Sequence, residues 1–187
     1  KWINGSACSG SDIAQHVNEL LVHWLSELWG VNVTHHVAYQ AENDAVKRQH
    51  LLDQTTSDYV FSEMDHLLLN TAYCYRLQKQ VLVPWVHTLT IAFSCQSRSA
   101  MSSQRASNVG CCQTGAGTTG VTCQAALQIV VKLKPCIVIL ENVSTLLEVP
   151  NQEDGMGQSD ADYITDELQK MRYVGQWFRV EALDYST

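Results

Sequence analysis

A cysteine and a glutamate stand where apolar runs give way to polar chain. Cys95 comes after Ile91-Ala-Phe-Ser, and Glu141 comes directly after Ile137-Val-Ile-Leu. At the carboxyl ends of strands, where open α/β sheets bind ligands, the two would be a nucleophile and its acid partner. Each also has a plainer reading, as a structural thiol and as an acid at a helix start. The neighbours Ser94, Gln96, Ser97 and Arg98 are polar, and a nearby arginine favours the reactive thiolate.

Three other stretches carry recognition chemistry. Ser6-Ala-Cys-Ser-Gly-Ser-Asp12 is a small-residue turn that opens a helix. It lets a ligand approach the backbone and faces it with a helix N-terminus. Glu42 ends a second apolar strand, the position from which an acid binds ribose hydroxyls in Rossmann-like folds. Asp65 follows a third strand. For both acids an exposed helix-capping role is the alternative.

The elements that must position these residues alternate. Helical spacing of Ile13, Val17, Leu20, Leu21, Trp24 and Leu28 predicts an amphipathic helix over 12–29, capped by Asp12 and ended by Gly30. Strands are expected over 33–41, 59–61, 88–93, 137–140 and 174–183. Helices are expected over 43–54, 67–77, 121–133 and 160–173. In the 121–133 helix, Ala125, Ile129 and Val130 face inward. Residues 94–120 and 151–159 read as polar loops, the first long enough to be functional. This alternation predicts an α/β fold, a mostly parallel sheet with helices on both faces.

The 187 residues suffice for one domain, and the net charge of −7 argues against a free-standing nucleic-acid binder. No run is long enough for a transmembrane helix, so no membrane insertion is expected. The seven cysteines fit no zinc spacing, so no metal is expected, and Cys136 reads as a small core residue. A reduced, intracellular setting follows. The start at Lys1 implies a processed product or a piece of something longer.

Taken in order, these segments resemble the DNA (cytosine-5) methyltransferases over most of the chain. Ala7, Cys8, Ser9, Gly10, Ser11, Asp12 and Ile13 resemble the first cofactor-binding motif. Glu42 and Asn43, in Ala41-Glu-Asn-Asp44, resemble the ribose-binding acid, and Asp65 lies where an adenine-contacting aspartate is expected. Phe93-Ser-Cys-Gln-Ser97 resembles the catalytic Pro-Cys-Gln motif. Gly120-Val-Thr-Cys-Gln-Ala-Ala-Leu127 resembles the segment that closes the catalytic loop. Leu133-Lys-Pro-Cys-Ile-Val-Ile-Leu-Glu-Asn-Val143 resembles the Glu-Asn-Val strand. The stretch 173–185 looks like the hairpin before the Gln-x-Arg-x-Arg motif.

The resemblance implies a Rossmann-like methyltransferase domain over 1–187, with the target-recognition region absent. It implies S-adenosylmethionine as cofactor, DNA as partner, and a nuclear location in a eukaryote. Cys95 would attack carbon 6 of a flipped cytosine. Glu141 would bond nitrogen 3, and carbon 5 would take the methyl group. Ser97, Arg98, Asn142 and Val143 would contact the base or its strand, with the loop 97–120 closing over the site. Ser94 stands where the family has proline, and Lys134-Pro replaces Arg-Pro. An alternative reading is a degenerate, non-catalytic module working as a structural or interaction subunit. A third is an α/β domain for another nucleotide.

Overall fold

Apolar stretches of the chain form five strands whose pairs are all parallel. The computed structural model describes residues 1–10, 12–30, 32–149 and 157–180, without the side chains of Ile13 and Ala14. It contains β1 (Trp2–Ala7), β2 (His35–Ala41), β3 (Tyr59–Phe61), β4 (Thr71–Cys74), β5 (Lys79–Leu82), β6 (Thr88–Ile91) and β7 (Ile137–Leu140). The large sheet has the order β3-β2-β1-β6-β7. The order reverses beside β1: the chain leaves it for β2 on one side and returns as β6 on the other. Helices α1 (Ile13–Trp29) and α2 (Ala45–Gln54) make the first two crossovers, and α4 (Gly117–Leu133) precedes β7. This mixed α/β architecture, a parallel sheet flanked by helices, is compatible with a Rossmann-like fold. The chain divides into two compact units, residues 1–94 with 128–141 and residues 95–127 with 142–187.

In the first unit the core of the sheet is largely apolar. Tyr39, Val60, Phe61, Leu89 and Ile91 are wholly buried. A Cβ on Gly5 would lie 2.5 Å from the Tyr39 ring, so β1 needs glycine there. Gln40 is also fully buried. Its amide donates to Asp12 and Gln15, and its carbonyl accepts from the Thr55 and Ser57 hydroxyls. Asp12 therefore turns to β2 and makes no side-chain cap for α1, contrary to expectation. Gly30 ends the helix in the left-handed region, as expected.

Through Asp12 and Gln15, α1 meets the sheet by its polar side. Its apolar stripe faces outward, with Trp24 60% and Leu28 75% exposed. The helix expected at 67–77 is not formed. A short 3-10 turn (Met64–Leu68) leads instead into the antiparallel hairpin of β4 and β5. The main chain after β4 is claimed by β3, through Tyr75 N–H to the Val60 carbonyl at 2.8 Å. Ala72 and Cys74 alternate inward with Thr71 and Tyr73 outward. Arg76 then ties the hairpin to the end of α2 through the carbonyls of Leu51, Leu52 and Thr55.

The second unit is helical among its described residues. It holds α3 (Cys111–Thr114), most of α4, α5 (Asp160–Lys170), and 3-10 turns at Ala106–Asn108 and Ser144–Leu147. A capping box between Ser159 and Asp162 starts α5. The stretch 94–120, expected as a loop, thus carries two short helical elements and the first turn of α4. The strand expected at 174–183 is not formed over 174–180; Val174 is fully exposed there, and no strand among the described residues pairs with it. Residues 181–183, with Ser11 and most of the 151–159 loop, lie outside the described residues. Cys136 is exposed rather than core. Ala125 is half-buried, whereas Ala126, Ile129 and Val130 are buried.

Candidate functional site

All five parallel strands end level. Ala7 pairs with Ala41 and Ile91, Ala41 with Phe61, and Ile91 with Leu140. The residues that follow each strand therefore emerge along one edge, at which the sheet order reverses. That edge is where open parallel sheets bind ligands. Cys8, Glu42 and Glu141 are each the first residue past a strand end.

Glu42 organises the turn after β1. Its carboxylate accepts from Gly10 N–H at 2.8 Å and from Asp44 N–H at 3.0 Å, and it is 5% exposed. Ser9 is held to β2 as well, its N–H donating to the Ala41 carbonyl at 3.1 Å. The turn passes three times through the left-handed region, at Cys8, Gly10 and Asp12. Glycine adopts that conformation without strain; for the other two it is costly and marks a constrained segment. Nothing lies within 4 Å of a Cβ placed on Gly10, so this point of the turn is open.

The electrostatics at this edge are acidic. Burial, then the charges of Glu42, Glu63 and Asp65, push the Cys8 thiol up to about 11. Its sulfur sits 3.6 Å from the Met64 sulfur. Asp65 is exposed in the first turn of the 3-10 segment after β3, and Asn43 is exposed beside Glu42. Burial also raises the Asp12 carboxyl, against the opposing hydrogen bonds from Gln40 and Ser6. A phosphate would need Gly10 N–H, which Glu42 already occupies, and would meet three carboxylates. Hydroxyl or cationic groups suit this edge better.

Glu141 is exposed in the first unit, its N–H bonded to the Ile91 carbonyl at 3.0 Å. Cys95 belongs to the second unit and is half-buried. Its carbonyl accepts from Arg98 and Ser99 N–H groups in a tight turn. Ser97 is paired with Thr119 by two reciprocal bonds, 3.0 and 3.4 Å long. Asn142 and Val143 are half-buried, and Asn142 Oδ1 accepts from Val143 N–H at 2.9 Å.

Arg98 occupies a different place from the one its sequence position implies. It is fully buried in the second unit. Its guanidinium donates to the carbonyls of Arg105 and Thr145 and pairs with Glu148 and Asp160, each at 3.4 Å. It therefore serves the interior of this unit. Asp160 was not expected to matter beyond opening a helix, and Gln40 was not singled out. For Gln40 a signal was present, a lone amide inside Val37-Ala-Tyr-Gln-Ala41.

No protein-family model matches the chain, and no curated protein matches it. The fold defines the class at the level of a mixed α/β protein built on a parallel five-stranded sheet. Among the described residues, no helix is long and apolar enough to cross a membrane.

Proposed function

We propose that this chain is the catalytic region of a DNA (cytosine-5) methyltransferase. The observation that carries the reading is Glu42, level with the end of β1 and bonded into the Cys8–Gly10 turn. An acid there, with an open turn and further carboxylates, suits a ribose-bearing cofactor without phosphates, as S-adenosylmethionine is. When bound, S-adenosylmethionine supplies an electrophilic methyl group. Glu42 would receive hydrogen bonds from ribose hydroxyls, and Asp65 would contact the adenine edge. Cys95, as thiolate, would form the bond to carbon 6 of a flipped cytosine. Glu141 would bond nitrogen 3 and favour that attack; loss of the carbon-5 proton and expulsion of the thiolate would close the cycle.

Isothermal calorimetry with S-adenosylmethionine tests the reading. One site per chain is expected, weakened about 10- to 100-fold in Glu42→Ala by loss of charge-assisted hydrogen bonds. Absence of binding heat at millimolar cofactor would sink it. The second reading, a non-catalytic module acting as a subunit of an assembly, is favoured by the outward apolar stripe of α1. Such exposed apolar surface is typical of interaction sites.

A further inference from the structure

Two thiols and a carboxylate converge inside the second unit, with a third buried thiol on the helix beside them, although no two of the cysteines stand at a zinc-type spacing. Cys111 and Cys112 open α3, Cys123 lies on α4, and Asp160 is the first residue of α5. All four are 1% exposed or less. The sulfurs of Cys111 and Cys112 and a carboxylate oxygen of Asp160 lie within 4.8 Å of one another. Cys111 Sγ is 3.9 Å from Asp160 Oδ2. The buried Cys123 thiol interacts electrostatically with that of Cys112, from outside the close group of three.

The separations among Cys111, Cys112 and Asp160 are those of three ligands around a tetrahedral ion. A zinc–thiolate bond of about 2.3 Å places neighbouring ligands of a tetrahedron about 3.8 Å apart. These three need only draw inward around an ion, and Cys123, on the neighbouring α4, would close in as the fourth ligand. The carboxylate is already oriented, because Asp160 accepts from Cys112 N–H at 2.7 Å and from Gly110 N–H at 3.2 Å. Such outer hydrogen bonds fix metal ligands in place. Arg98 supplies a second, independent sign. Its Nε is fully buried, 3.4 Å from Asp160 Oδ2, and makes no hydrogen bond. With three thiolates formed, that N–H gains a strong acceptor. Three thiolates, one carboxylate, the arginine and a divalent cation leave a net charge of only −1.

We propose that Cys111, Cys112, Cys123 and Asp160 form a structural zinc site that fastens α3, α4 and α5 together. Binding forms three Zn–S bonds and one Zn–O bond and releases three thiol protons to solvent, with no change of oxidation state. The four ligands come from three helices, so the site closes in the manner of structural rather than catalytic zinc.

The test is a titration of the reduced, metal-stripped chain with zinc and with cobalt(II). One equivalent is expected per chain, with thiolate charge-transfer and tetrahedral ligand-field absorption for cobalt. Cys112→Ser should weaken binding about 100-fold or more and Asp160→Asn about 10-fold, while Cys136→Ser leaves it unchanged. Where a cysteine variant fails to fold, alkylation mapping of the unaltered chain decides. Zinc should shield Cys111, Cys112 and Cys123 from alkylation in the denatured-then-refolded protein and leave Cys136 reactive. Less than a tenth of an equivalent bound, or cobalt absorption that persists in Cys111→Ser and Cys123→Ser alike, would overturn the proposal. So would zinc protection confined to other thiols.

Discussion

Cys8 shows how a single residue reports its surroundings. Its backbone is left-handed, its sulfur is largely enclosed, and three carboxylates lie near. In the unfolded chain the thiol ionises near its ordinary value of 9.0, and in the folded chain near about 11. Below the first value both states carry the proton, and the folded state has its full advantage. As pH rises between the two, the unfolded state loses its proton first, so stability falls until the folded thiol also ionises. The difference in urea midpoint between Cys8→Ala and the unaltered chain should therefore shift in favour of the variant from pH 9 to pH 11. A difference that stays flat across that range would show the thiol to be open to water. The turn itself was legible from its small residues. The double use of Glu42 was not, because that bond depends on the register of two strands distant in sequence.

At the scale of elements, strands over 59–61 and 137–140 were readable residue for residue. Each is a short β-branched or aromatic run whose neighbours break it. The hairpin at 71–82 was hidden because Leu67, Leu68 and Leu69 with Leu77 mimic helical spacing. Pairing of β4 with β5, and the bond from Tyr75 to the Val60 carbonyl of β3, decided the outcome. For α1 the periodicity was legible, but the direction in which its stripe faces was not. The stripe is real, yet polar contacts from Gln15 and Asp12 to Gln40 seat the helix. A paired mutation series checks this seating. Leu28→Glu, on the outward stripe, should change stability by no more than about 0.5 kcal/mol, the usual range for exposed sites. Gly5→Ala, against the buried Tyr39 ring, should cost about 1–3 kcal/mol by overpacking. Chemical denaturation of both variants reads the difference, and a large loss in Leu28→Glu would place the stripe inside.

For the whole molecule the balance of charge frames the chemistry. A net charge of −7 makes non-specific attraction to DNA weak. Proposed catalysis is then best read by a covalent trap rather than by affinity. DNA bearing 5-fluorocytosine, offered with S-adenosylmethionine at low salt, should give a denaturation-resistant complex that vanishes in Cys95→Ala. Equal yield from both proteins would remove Cys95 from the reaction. The strand-end position of Glu141 was legible from the apolar run before it, whereas Cys95 falls in a turn four residues past the end of β6 rather than at a strand end. The interior role of Arg98 was not legible, since its partners Thr145 and Asp160 lie 47 and 62 positions away.

The grip of Glu42 on the turn after β1 has a thermodynamic consequence. A free glutamate loses about 1.5–2 kcal/mol of rotamer entropy when a partner fixes it. Here two backbone N–H groups have already fixed the side chain on folding, and burial has already stripped most of its water. A ligand arriving at this carboxylate meets a preorganised acceptor, so its binding should be enthalpy-led and fast, with little rearrangement of the strand ends.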